Sequence, residues 1–153
     1  MTAPALREAA RAVLLDDNDR IMLLRYDENG GFWATPGGSL EPGENHRRAL
    51  IRELREELGI QDAEIGPQLA ARTQDHLVAG RPVRHSERYY LARVLAGTVS
   101  PEQAHQSDNI RDWQCWTLAE LSTTSQTVYP AGLADLIETL LSSCSPESPV
   151  LLS

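Results

Sequence analysis

Three glutamates crowd one short stretch, "RELREELGI" at residues 52–60. On a helix Glu53, Glu56 and Glu57 become surface neighbours, where like charges repel by roughly 0.2–0.5 kcal/mol per pair. On a wheel of about 100° per residue, Leu50, Ile51, Leu54 and Leu58 share one arc, the expected core stripe. The three acids share a second arc with Ala49, and Arg48, Arg52 and Arg55 take the remaining side. A solvated helix more often alternates its signs. Carboxylates gathered on one face suit a hard divalent cation, since Mg²⁺ takes oxygen ligands at about 2.0–2.1 Å. The plainer alternative is a surface helix with pairs such as Arg52–Glu56.

The preceding loop separates these readings. From Gly38 the chain runs "GSLEPGENHRRALIRELREELGI". It fits G-x5-E-x7-R-E-U-x-E-E-x-G-U, with U aliphatic, at Gly38, Glu44, Arg52, Glu53, Leu54, Glu56, Glu57, Gly59 and Ile60. In this pattern the chain resembles the Nudix hydrolases. The approach through Trp33, Pro36, Gly37 and Gly38 is similar to that family too. So are the stretch with Trp116, Leu118, Glu120 and Leu121 and the segment "YPAGLADL", so the likeness spans residues 10–141.

The resemblance implies an α/β fold of the Nudix type, an α/β/α sandwich with a mixed β-sheet flanked by helices. It implies hydrolysis of a phosphoanhydride in a nucleoside diphosphate linked to another group, with Mg²⁺ or Mn²⁺. A divalent cation offsets phosphoryl charge and activates the attacking water. The metal ligands would be Glu53, Glu56, Glu57 and the Gly38 carbonyl. Arg52 would orient the carboxylates through charge-assisted hydrogen bonds. Glu44 would lock the loop through Arg52 or backbone N–H groups, and Gly59 would take φ > 0. The general base would be a glutamate of the pattern, Glu57 among them, or a later one, Glu87 or Glu102. Phosphate contacts could come from Arg25, Arg72, Arg81, Arg84 or Arg88. Aromatic contacts could come from Trp33, Tyr89, Tyr90, Trp113 or Trp116. Of these, Arg25, Trp33 and Arg84 are the leading substrate candidates. The region past the pattern, "DHLVAG", lacks the Pro and Tyr of ADP-ribose and diadenosine polyphosphate hydrolases, so an NTP or dNTP is the better expectation.

Two other readings compete. A nucleotide-binding sensor of the same fold would usually lose some of these glutamates, and all are present. An isoprenoid diphosphate isomerase would need a reactive Cys in a matching segment, and Cys115 in "WQCW" does not look like one.

The elements needed to hold the glutamates are visible in outline. Residues 10–26 read as two strands around "DDND", 32–36 as a short strand, and 37–44 as a Gly/Pro-rich loop. Residues 45–58 read as helix closed by Gly59. Residues 63–78 look like interrupted strand, 81–95 like a longer one, 97–109 like a loop and 110–116 like strand. A short helix starts after the N-cap Thr117, and a second covers 130–141 with Pro130 near its first turn.

With 153 residues, 41% hydrophobic and 24% charged, one domain over 1–141 is expected, followed by a Ser/Pro-rich tail at 142–153. A net charge of −8 makes polymeric nucleic acid a poor partner. Cys115 and Cys144 form no disulfide framework, no leader pattern opens the chain, and no apolar run suits a bilayer. A cytoplasmic protein with a small nucleotide substrate is expected, with "PVLLS" available for a homodimer. His46, His76, His85 and His105 are scattered, so no zinc site is expected.

Overall fold

The computed structural model describes residues 4–61, 63–94, 110–142 and 149–152. The first strand, β1 (Ala5–Leu15), alternates its side chains between two cores. Ala10, Ala12 and Leu14 point to one, Val13 and Leu15 to the other. It is followed by β2 (Ile21–Tyr26), β3 (Phe32–Ala34) and β4 (Gly37–Ser39). Next come α1 (His46–Leu58), β5 (Glu64–Val78), β6 (Arg81–Arg93) and β7 (Ile110–Trp116). The chain then forms α2 (Leu118–Thr123), β8 (Val128–Tyr129), α3 (Leu133–Ser142) and β9 (Val150–Leu152).

The strands join in the order β8-β3-β2-β1-β6-β5-β9, with β4 on β1 and β7 on β2. Pairing is mixed: β1–β6, β3–β8 and β5–β9 are parallel, the rest antiparallel. The helix α1 covers one face through Leu50, Leu54 and Leu58, which meet Met22 and Leu24. On the other face Leu121 of α2 and Leu133, Leu136 and Ile137 of α3 meet Ile21, Leu23 and Trp33. The result is the expected α/β/α sandwich.

One opening in this sheet matters for chemistry. β1 and β2 are registered at Leu15 with Ile21, near their joining turn. Further along, β1 takes β4 as neighbour, at Ala9 with Ser39 through Arg11 with Gly37, while β2 takes β3. The strands part, and Thr35–Pro36–Gly37 enters the wedge, where Pro36 O accepts from Ala12 N at 2.9 Å. Asp16 holds the closed end. Its carboxylate accepts from Asn18 N, Arg20 N and Arg20 Nε at 2.8–2.9 Å.

Several expected boundaries shift. Residues 37–39 are strand, not loop, because Gly37 allows β4 to lie against β1 without a side chain between them, while Gly38 makes room for Glu53 of α1. The segment 63–78, expected to be interrupted, holds the single strand β5 (Glu64–Val78), whose register slips around Gln68. The last helix begins at Leu133, and Pro130 precedes it after a cis Tyr129–Pro130 bond. Ile51 is half-buried where a core position was expected, and Ala49 is buried. At the end of the chain, β9 pairs with β5 from Ala70 with Val150 to Arg72 with Leu152. Glu102, His105 and Cys144 lie outside the described residues. No helix of the described residues is long and apolar enough to cross a membrane.

Candidate active site

The helix α1 is set by its two ends. Asn45 accepts from Arg48 N at 2.9 Å as N-cap. Gly59 adopts φ +67° and donates to Arg55 O. Between these caps the apolar stripe fixes the helix against the sheet and brings the acid arc beside β4.

Glu57 reaches deepest. It is 6% exposed, and its Oε1 accepts from Gly37 N at 2.8 Å. Its Oε2 accepts from the Tyr26 hydroxyl at 3.4 Å. Burial pushes the Glu57 carboxyl up to about 8; the Gly37 N–H opposes this and the neighbouring Glu53 carboxylate adds to it. Glu53 lies against Gly38, where a β-carbon would stand 2.7 Å from its carboxyl carbon. Burial raises Glu53 as well, against the Arg52 guanidinium.

Arg52 does not merely flank the acids; it joins them. Its Nε and Nη2 bond the two oxygens of Glu44 at 2.8 and 2.9 Å, and Nη2 also reaches Ser39 O at 3.0 Å. Its Nη1 bonds Glu53 at 3.0 Å and Glu56 at 3.3 Å. A helical wheel locates the β-carbon, and a guanidinium several bonds away folds back across the acid face. Glu44 also accepts from Glu41 N. The Arg52 guanidinium, with that N–H, holds the Glu44 carboxyl down at about 2.

The donors fit a hard cation in kind. All are oxygen, two are pressed together away from water, and the Gly38 hydrogen leaves room beside Glu53. Among the described residues no three His, Cys, Asp or Glu side chains already stand around one centre. Arg52 holds Glu53 and Glu56, so binding an ion requires those two to share their oxygens with it.

A second feature lies across Gly37. A cleft of about 180 Å³ opens in the wedge between β1 and β3, bounded by Arg11, Thr35, Arg72, Glu87 and Tyr89. Phe32 and Tyr129 close it with rings edge-to-face at 5.3 Å. Arg11 Nη1 donates to Gly37 O at 3.0 Å, so one residue links the cleft to Glu57. Burial alone would lower the Arg11 guanidinium, and Glu87 beside it more than offsets that. A larger cavity of about 530 Å³ lies between residues 39–44 and the start of β1, bounded by Leu6, Arg7, Glu8 and Glu44 but not by Glu53 or Glu57.

The other sequence candidates are placed unevenly. Glu87 sits in the cleft wall between Arg11 and Arg72, at 3.0 and 3.1 Å. Trp33 is packed in the core, its Nε1 donating to Gln126 at 2.8 Å, with Arg25 stacked 5.7 Å over its ring and bonded to the same Gln126. Arg84 pairs with exposed Asp75, and alternation along β6 turns it to the face opposite Glu87. His76 and His85, on the two strands of the β5–β6 hairpin, bring their rings to 5.0 Å. Arg11, Tyr26, Phe32 and Tyr129 were not singled out from the sequence. The one signal for Arg11 is a charge inside the apolar run "ARAVLL".

A sequence model of the NUDIX domain matches residues 5–139. The chain belongs to the Nudix hydrolase family. The CTP pyrophosphohydrolase of Escherichia coli (strain K12) is 38% identical over 98 residues, 62% of this chain and 67% of that protein. The 8-oxo-dGTP diphosphatase of Proteus vulgaris is 41% identical over 54 residues, 33% of this chain and 48% of that one. The match thus spans about half the length of the second relative. The MutT protein of Methanosarcina mazei Go1 superposes with a TM-score of 0.67 at 20% identity, covering 90% of this chain and 94% of that one. The NUDIX domain of Shewanella oneidensis NrtR, a complex with ADP ribose, gives 0.67 at 20% identity, covering 92% and 90%. At such identities the structural likeness speaks for the Nudix fold alone.

Proposed function

We propose that this Nudix protein is a Mg²⁺- or Mn²⁺-dependent pyrophosphohydrolase that cleaves the phosphoanhydride of a small nucleoside triphosphate or deoxynucleoside triphosphate. The observation that carries the reading is Glu57, a carboxyl withdrawn from water and held by Gly37 N beside Glu53. Relatives named as a CTP pyrophosphohydrolase and an 8-oxo-dGTP diphosphatase support the substrate class.

In this reading Glu53, Glu56, Glu57 and the Gly38 carbonyl hold the cation. When bound, it neutralises phosphoryl charge and favours ionisation of the attacking water. Arg52 keeps Glu53 and Glu56 oriented to hold the cation, and Glu44 keeps Arg52 in place through its two-pronged bond. Glu57, ionised once a cation's charge stands beside it, would take the proton that water loses as its oxygen attacks phosphorus and the bridging phosphate oxygen departs. Glu87, the other described candidate for that proton, has both oxygens engaged by arginines and belongs to the cleft wall.

Mn²⁺ titration followed by electron paramagnetic resonance tests the site directly. Wild type is expected to bind the ion, and Glu53→Gln to bind it at least about 10-fold more weakly. Equal binding by both proteins contradicts the assignment. A sensor would bind a nucleotide tightly and turn none over.

A further inference from the structure

Three adjacent strands line up Arg11, Glu87 and Arg72 as a row of side-chain contacts on β1, β6 and β5: Arg72 is registered with Glu87, and Arg11, registered with Tyr89, reaches Glu87 diagonally. Glu87 Oε2 accepts from Arg11 Nε at 3.0 Å and Oε1 from Arg72 Nη1 at 3.1 Å. The side chains are 27%, 14% and 19% exposed, so the row is largely shielded yet opens on the cleft. Its order is donor, acceptor, donor. Each carboxylate oxygen has a second lone pair, and each guanidinium carries five N–H groups in a fixed fork. The row can therefore receive a complementary edge without breaking its own ion pairs.

The cleft also fixes what kind of edge can enter. At about 180 Å³ it is smaller than the roughly 300–1,000 Å³ of a pocket that takes a whole ligand, so it suits one ring. Phe32 and Tyr129 give that ring an aromatic wall, and stacking on such walls tolerates any base. Discrimination falls to the polar row. Uracil and thymine present acceptor, donor, acceptor along O4, N3–H and O2. Cytosine presents donor, acceptor, acceptor, which would set its amino group against a guanidinium. Adenine and guanine lack the alternating edge and bring a second ring.

We propose that Arg11, Glu87 and Arg72 read the imide edge of a uracil or thymine base, so that the preferred substrates are uridine or thymidine nucleotides. The inference rests on the nucleotide-hydrolase reading for its chemistry and on the cleft for its specificity. Gly37 couples the two, with Arg11 on its carbonyl and Glu57 on its N–H.

Two measurements separate the layers. Calorimetry with UMP, CMP, AMP and GMP needs no turnover, and UMP is expected to bind about 10–100-fold more tightly than CMP. Steady-state kinetics on UTP, CTP, ATP and GTP with Mg²⁺ should show the same preference in kcat/KM. Glu87→Gln, checked for folding by thermal melting, should cut the UTP-to-CTP ratio at least about 10-fold, mainly through KM. Arg72→Gln should do the same. Selective UMP binding without turnover of any triphosphate would sink the hydrolase reading and keep the base assignment. A preference for cytosine or a purine overturns the proposal. So does a loss of kcat in Glu87→Gln that is equal for all four nucleotides, which would make Glu87 the general base.

Discussion

Arg52 and Asp16 show how one side chain can organise several backbone and carboxylate groups. Arg52 bonds Glu44, Glu53, Glu56 and Ser39 O, so Arg52→Ala should lower kcat/KM about 10–100-fold. Steady-state kinetics beside a thermal melt would show whether the loss exceeds any effect on folding. Asp16 is a structural counterpart. Burial pushes its carboxyl up, but the N–H groups of Arg20 and Asn18 and the Arg20 side chain outweigh that and hold it below its ordinary 3.8. A folded-state value below the unfolded one stabilises the fold above the ordinary value and is lost as pH falls through the folded value. Asp16→Asn should therefore cost about 1–3 kcal/mol at pH 7, with the gap to wild type closing below about pH 4. Urea unfolding of both proteins across pH 3–7 would measure it, and a gap independent of pH would refute the ionic account. At this scale the pattern from Gly38 to Ile60 made the acidic cluster legible in the sequence. Tyr26 and Arg11 were not legible, because their contacts, Glu57, Glu87 and Gly37, lie 26 to 76 positions away.

Among the elements, β4 and α1 matter most, because their contact sets the depth of Glu57. Gly37 has φ +136°, and a β-carbon there would collide with Ala10 O and stand 2.8 Å from the Arg11 α-carbon. Gly37→Ala should cost about 1–3 kcal/mol or more from backbone strain alone, lowering both Tm and activity. Leu54→Ala, by contrast, opens a cavity under α1 and should cost about 2–5 kcal/mol by chemical denaturation. If Gly37→Ala proves as stable and active as wild type, β4 does not position the site as described. The helix was legible because Asn45, Gly59 and the Leu50–Leu54–Leu58 stripe agree on its bounds. The strand β4 read as loop because glycines usually break strands, whereas here Gly37 permits close approach to β1 and Gly38 to Glu53 of α1.

Over the whole molecule, the sequence patterns supported a mixed sheet between helices but not its strand order. Parallel pairing of β1 with β6, from Ala5 with Val83 to Leu15 with Arg93, joins residues 78 positions apart, and no local periodicity encodes it. The same holds for β9, which lies in the segment set apart as a tail yet completes the sheet beside β5. Its Leu152 packs against the second core, while Leu151 is 84% exposed. Ending the chain after Ser142 should therefore lower Tm by several degrees, at about 2–4 °C per kcal/mol for a domain of this size. An unchanged Tm would mean that β9 adds nothing to the fold.

The central claim, that α1 carries a metal-dependent hydrolytic site, is tested most directly by nucleotide hydrolysis. The comparison is wild type against Glu57→Gln across NTPs and dNTPs, with and without Mg²⁺, with products resolved by chromatography. The structure predicts metal-dependent release of phosphate or pyrophosphate from at least one nucleotide. It also predicts a rate about 10²–10⁴-fold lower in the variant, as removal of a proton acceptor would give. Turnover that ignores Mg²⁺, or that survives Glu57→Gln undiminished, would contradict it.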